Sequence, residues 1–196
     1  MDKRRFFLSV AAVYLAACLY YRQALSLFPV LLLPVAAHEL SHVLALYLLG
    51  QRINGISADA RGLCIRYVGY CSPAGHILAA LAGPLGGAVY ALFGFTDIEW
   101  LRQSAGLSLL LTAFNLLPLL PLDGGRVFSI LCTMALGEER GEAICRTVSA
   151  VLLAVLLTGG VYFAVWKKST APLAAAIWLL LFQNEEEALV KNQKII

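Results

Sequence analysis

Charge is what this sequence has least of. Only 14% of its residues are Asp, Glu, Lys or Arg, against 60% hydrophobic, and the mean hydropathy is +0.78. Soluble domains carry about 25% charged residues, so the composition excludes an ordinary water-soluble globule and implies an all-α polytopic membrane protein. The net charge of +3 is small and scattered, which gives no footing for a nucleic-acid partner. Flexible linkers, internal repeats and long charge blocks are absent. The expectation is one domain over residues 1–196, with no appended peptide-binding or regulatory domain. Five cysteines, an odd number lying mostly in apolar runs, do not make a disulfide framework. Cys64 and Cys71 share a polar loop, where they could pair or bind metal, and read rather as reduced thiols facing the cytoplasm. Histidine is scarce too: there are three, and two stand together inside an apolar run.

A helix needs about 20 apolar residues to cross the hydrocarbon. Apolar runs occur at 6–21, 24–49, 74–95, 104–122, 147–166 and 171–182. They predict about six transmembrane helices, the last short enough to be interfacial or re-entrant. Lys3-Arg4-Arg5 ahead of the first run has the layout of a secretion signal, and Leu15-Ala16-Ala17-Cys18 matches a lipoprotein cleavage box. Because the second run starts almost at once, the first is read as an uncleaved span. Placing the amino terminus in the cytoplasm leaves only Arg22, Arg102, Lys167 and Lys168 of the 15 basic residues outside. The positive-inside rule favours that topology, with both termini cytoplasmic. Between spans two and three, residues 51–73 form the longest polar interruption. Ile53-Asn-Gly-Ile56 and Leu63-Cys-Ile-Arg-Tyr-Val68 flank a Gly-bearing turn there and read as a small β-hairpin. Such a strand can take an extended peptide by strand addition, or it can be a structured loop with no part in substrate binding.

The second run carries His38-Glu39-Leu40-Ser41-His42. Polar side chains in such surroundings are costly unless something holds them. Four residues apart on a helix, His38 and His42 point the same way and can converge on one tetrahedral metal. Glu39 beside them can serve as a base towards water. Two imidazoles and a water leave a catalytic zinc one protein ligand short. The candidate is Asp123, in Asn115-Leu-Leu-Pro118-Leu-Leu-Pro121-Leu-Asp123-Gly124-Gly125-Arg126. It is expected to terminate the fourth span on the same side, and at the same depth, as the histidine pair. Pro118 and Pro121 would loosen that helix, and Gly124-Gly125 would turn the chain after the acid. An interrupted helix in a membrane suits a buried or water-facing cavity. Asn115, about two turns deeper, could hold the substrate backbone or an oxyanion, or make an interhelical hydrogen bond. Asp59, Glu138, Glu139 and Glu142 are placed in loops. Ala82-Gly83-Pro84-Leu85-Gly86-Gly87 reads as close helix packing, and His76 as a hydrogen-bonded or solvated interfacial residue.

These two motifs, in this order, resemble the site-2 proteases, the intramembrane zinc metalloproteases. That family pairs an H-E-x-x-H helix with an N-x-x-P-x-x-x-x-D-G segment, matched by His38, Glu39 and His42 and by Asn115, Pro118, Asp123 and Gly124. The resemblance covers about residues 24–126, with further spans over about 147–183. It implies one zinc ion held by His38, His42 and Asp123, with Glu39 as general base. Gly83-Pro84 resembles a third element of the family, in which Gly87 stands where an Asn is often found. The six-span layout most resembles the small bacterial branch that includes sporulation sigma-factor-processing enzymes, without their nucleotide-sensing domain. The implied partners are the lipid bilayer and a membrane protein whose transmembrane helix is cut, in a bacterial cell membrane. The rival is a non-catalytic metal-binding adaptor or chaperone of the same fold, which leaves Glu39 without a task. A metal transporter would need ligands along the outer halves of the spans, and the sequence offers none there.

Overall fold

The structure is a computed structural model. It describes residues 24–59, 62–68, 72–120, 122–166, 173, 176–177 and 179–181, with side chains for 29–52 and for the described residues from 72 onward. The expected first span at 6–21, with Cys18, lies outside the described residues, as does Cys71. Two compact units are present, the first ending at Phe114 and the second beginning at Asn115. Among the described residues, three helices are long and apolar enough to cross a membrane: Pro29–Leu48, Pro73–Phe95 and Glu138–Trp166.

In the first unit, α1 (Ala24–Leu48) is apolar nearly all round, as a helix facing lipid must be. Leu32, Leu40, Leu44 and Leu48 are exposed, while Val30, Pro34, His38 and Leu46 are buried. The helix stops at Gly50, whose φ of 72° is in the left-handed region. The Gln51 amide donates to the Leu46 carbonyl and the Gly50 amide to that of Tyr47. That paired closure satisfies the last carbonyls and turns the chain out of the helix. Strands β1 (Arg52–Asp59) and β2 (Gly62–Val68) follow, pairing antiparallel with Arg52 opposite Val68 and Asp59 opposite Gly62. Their register is irregular between Ile53 and Gly55.

Helix α2 (Pro73–Tyr90) opens on Ser72, whose hydroxyl accepts from the Gly75 amide at 3.1 Å, with Pro73 in the first helical position. Both choices suit a helix start, where amides lack helical partners and proline has none to lose. A 3-10 turn (Ala91–Phe95) continues it. Helix α2 packs along α1, and α3 (Glu99–Asn115) meets α2 through a buried stripe of Ser104, Ser108 and Thr112. The Tyr90 and Ser104 hydroxyls share a hydrogen bond of 2.9 Å, and Ser108 donates to the Gly87 carbonyl at 2.8 Å. Small polar residues bring membrane helices close because they bond across the interface and occupy little room.

The fourth apolar run is not one helix. Helix α3 begins at Glu99 and ends at Asn115, and residues 116–120 and 122 are irregular. Pro118 cannot donate to a helix, and the irregular stretch buries Leu119 and Leu122. In the second unit, α4 (Asp123–Leu136) begins directly after it, and Asp123 is its first residue. This corrects the expectation that Asp123 closes the fourth span: it opens the next helix. A carboxylate there faces the positive end of the helix dipole. Gly124 and Gly125 are helical, and both bear on the irregular stretch. A Cβ at Gly124 would overlap the Leu116 carbonyl, and one at Gly125 the Leu119 backbone. Helix α4 ends at Gly137 (φ 82°), and α5 (Glu138–Trp166) packs against it. Glu138, Glu139 and Glu142 were expected in a loop but lie in the opening turns of α5, where acidic residues offset the helix dipole. Residues 173, 176–177 and 179–181 are helical, with Ala176 and Leu179 buried.

Candidate metal centre

His38 and His42 occupy successive turns of α1. His38 is 5% exposed, and His42 and Glu39 are half-buried. The Nε2 atoms of the two rings lie 3.3 Å apart, with the rings nearly perpendicular at 82°. Two nitrogens bound at about 2.0–2.1 Å to one tetrahedral zinc stand roughly 3.3–3.4 Å from each other. The observed pair already has that spacing.

The tautomer of His42 follows from its other nitrogen. Nδ1 lies 2.7 Å from the Ala79 carbonyl oxygen in α2, which can only accept. Nδ1 therefore carries the proton, and in the neutral ring Nε2 keeps its lone pair for a metal. A hydrogen bond from the second ring nitrogen to a carbonyl is the usual support of a ligating histidine. Gly83 of α2 lies against the same two rings: a Cβ there would overlap His42 Nε2 and come within 2.8 Å of His38 Nε2. Ser41, between the histidines, donates to the Ala37 carbonyl at 2.7 Å and lies against Gly86.

Asp123 is 6% exposed at the start of α4. His38, His42 and Asp123 form a group in which each offers one ligand atom, all within 4.8 Å of one another. Two imidazoles and a carboxylate are a zinc donor set with one position left for water or substrate. The chemistry of the donors and the cleared space over Gly83 fit such an ion.

Asn115 is the half-buried last residue of α3. It is not two turns deeper than Asp123 in one helix, because the irregular stretch separates them. His76, near the start of α2, hydrogen-bonds through Nδ1 to the Ser72 carbonyl at 3.0 Å and is not in the metal group. Sequence reasoning missed the Ala79 carbonyl and the contact of Gly83 with the histidines. The signal pointing that way is the glycine and proline pattern from Gly83 to Gly87, which reads as tight packing against the histidine helix and, at Gly83-Pro84, resembles a third family element.

A family model described as Peptidase M50B-like matches residues 10–137. No curated protein matches the chain. Among solved structures, the fold is similar to that of a site-2 protease from Methanocaldococcus jannaschii. The two are 21% identical, with a TM-score of 0.66 over 89% of this chain and 86% of the other. At that identity the likeness speaks for the fold.

Proposed function

The chain belongs to the Peptidase M50B-like family, and from that premise we propose that it is a zinc-dependent intramembrane metalloendopeptidase of the site-2 protease type. Its substrate would be a membrane protein, cut at a peptide bond in or near a transmembrane segment. The observation that carries this reading is the grouping of His38, His42 and Asp123, with Glu39 adjacent on a helix suited to lipid. These three residues would hold one zinc ion per chain. Such an ion, when bound, polarises a carbonyl and lowers the pKa of a coordinated water to about 7.

The chain's own residues do the rest. Glu39 takes a proton from the attacking water and returns it to the leaving amine. The Asn115 amide donates to the substrate backbone or to the developing oxyanion. A helical substrate must unwind before its carbonyls can be reached, and an unwound segment can pair with an edge of the β1–β2 sheet. The distribution of basic residues supports cytoplasmic termini and a site in the cytoplasmic half of the membrane, and the resemblance to the small bacterial branch supports a bacterial cell membrane. The apolar runs support six spans.

The test uses purified protein in proteoliposomes with a panel of single-span substrates. Glu39→Gln should retain zinc and lose at least about 100-fold in cleavage rate, whereas His38→Ala should lose both metal and cleavage. Cleavage by Glu39→Gln at the unmodified rate overturns the role of Glu39. Zinc binding by the unmodified protein with no cleavage of any substrate would make it a metal-binding adaptor.

A further inference from the structure

We propose that the turn of α2 from Ala79 to Gly83 is a positioning element for the metal-binding histidines, beyond its part in helix packing. In this assignment the Ala79 carbonyl holds the His42 ring in its Nδ1–H form. The absent side chain of Gly83 leaves the space into which both Nε2 atoms point. The inference rests on the metal-site reading above and deepens it.

Three observations carry it. The first is the 2.7 Å hydrogen bond between His42 Nδ1 and the Ala79 carbonyl. A carbonyl oxygen has two lone pairs, so Ala79 can accept from His42 while serving its own helix. The second is that the position of a Gly83 Cβ coincides with the place where the two Nε2 atoms meet. Ordinary close packing does not require this. At Gly86, one turn further, α1 approaches as closely, but there the atoms met are Ser41 Oγ and the Ala37 carbonyl. Neither belongs to the metal group.

The third observation is how the turn is held from its other neighbour. Ser108 and Thr112 of α3 donate to the carbonyls of Gly87 and Pro84, at 2.8 and 3.4 Å. Pro84 has no N–H to give the Ala80 carbonyl, so the helix is weakest just where it meets the histidines. The hydroxyls of α3 brace it there. Helix α2 is thus pinned on one face by α3 and presents Ala79 and Gly83 to α1 on another.

Cobalt(II) is the probe, added to the full chain in detergent and read by its visible absorption. The unmodified protein should show tetrahedral bands, and His38→Ala should abolish them; failure here sinks the metal-site reading itself. Gly83→Ala and Gly86→Ala are then compared. Both place alanine in the same helix, with the same gain in helix propensity. Gly83→Ala should weaken cobalt binding roughly 10- to 100-fold, as loss of a ligand's supporting contacts does, and shift the bands. Gly86→Ala, whose Cβ would crowd Ser41 of α1 rather than a ligand atom, should weaken binding less than Gly83→Ala does and leave the bands unshifted. Equal behaviour of the two variants, whether both weakened or both unchanged, overturns the proposal. A second measurement needs no helix variant to fold. Nitrogen-15 spectra of histidine-labelled, metal-free protein, assigned with His76→Gln and His38→Gln, should show His42 protonated at Nδ1. A His42 protonated at Nε2 overturns the proposal even if cobalt binds.

Discussion

His38 and His42 hold their Nε2 atoms 3.3 Å apart from successive turns of one helix. That is the spacing of two nitrogens bound to one tetrahedral zinc, so the metal-free pair is already arranged for a cation. Zinc should therefore stabilise the fold measurably. At a free concentration 100 times the dissociation constant, binding to the native state alone contributes about 2.7 kcal/mol. Thermal unfolding in detergent should show a higher Tm with zinc than with chelator. The difference should vanish in His42→Ala.

Asp123 contributes both a negative charge and a helix start, and the two can be separated. Asp123→Asn keeps a side chain suited to the first turn of α4 but removes the charge. Zinc affinity should fall at least about tenfold, a lower bound set by the effect of losing even a supporting contact. Stability without metal should change by no more than about 1 kcal/mol, the scale of a charge–dipole interaction at a helix end. Isothermal titration and unfolding of the same preparation check both halves.

Gly124 should not tolerate a methyl group. Its Cβ would overlap the Leu116 carbonyl and lie 2.7 Å from that of Leu117, both backbone atoms with little freedom to move. Gly124→Ala should cost about 1–3 kcal/mol, the usual penalty for overpacking. Gly159 in α5 has nothing within 4 Å of such a Cβ. Gly159→Ala should instead gain about 0.5–1 kcal/mol from reduced backbone entropy. Denaturant titrations of the two variants should move in opposite directions.

The hydroxyl stripe of α3 allows a smaller, graded test. Ser108→Ala removes the bond to Gly87 and should cost about 0.6 kcal/mol, the average found for interhelical hydrogen bonds in a membrane protein. Tyr90→Phe, which removes the partner of Ser104, should cost a similar amount. Reversible unfolding in mixed micelles can resolve both effects.

Much of this was legible because lipid permits so little variety. Apolar runs had to be helices, and His38 and His42 had to share a face once four residues separated them. What the sequence hid were the boundaries within apolar stretches. Hydropathy runs on through Leu122, so Asp123 looked like the end of a helix. The signs that it begins one were present: Pro121 two residues before, an acid in the first turn, and Gly137 as a stop. They were outweighed by the apolar runs, which end at 122 and resume at 147 and so put Glu138, Glu139 and Glu142 in a loop. The support from Ala79 was not legible at all, since a backbone carbonyl has no letter of its own. Gly83 was visible as a glycine, but only the neighbouring helix reveals what its missing side chain makes room for.

The closure at Gly50 has a mechanical consequence. Strand β1 begins two residues after that glycine, and paired hydrogen bonds to Leu46 and Tyr47 leave almost no slack between strand and helix. Leu46 lies one turn from His42 on the same rod. Any load taken up by the sheet edge, such as a bound chain being drawn in, would be passed as torque to the helix bearing both imidazoles rather than absorbed in a loose joint.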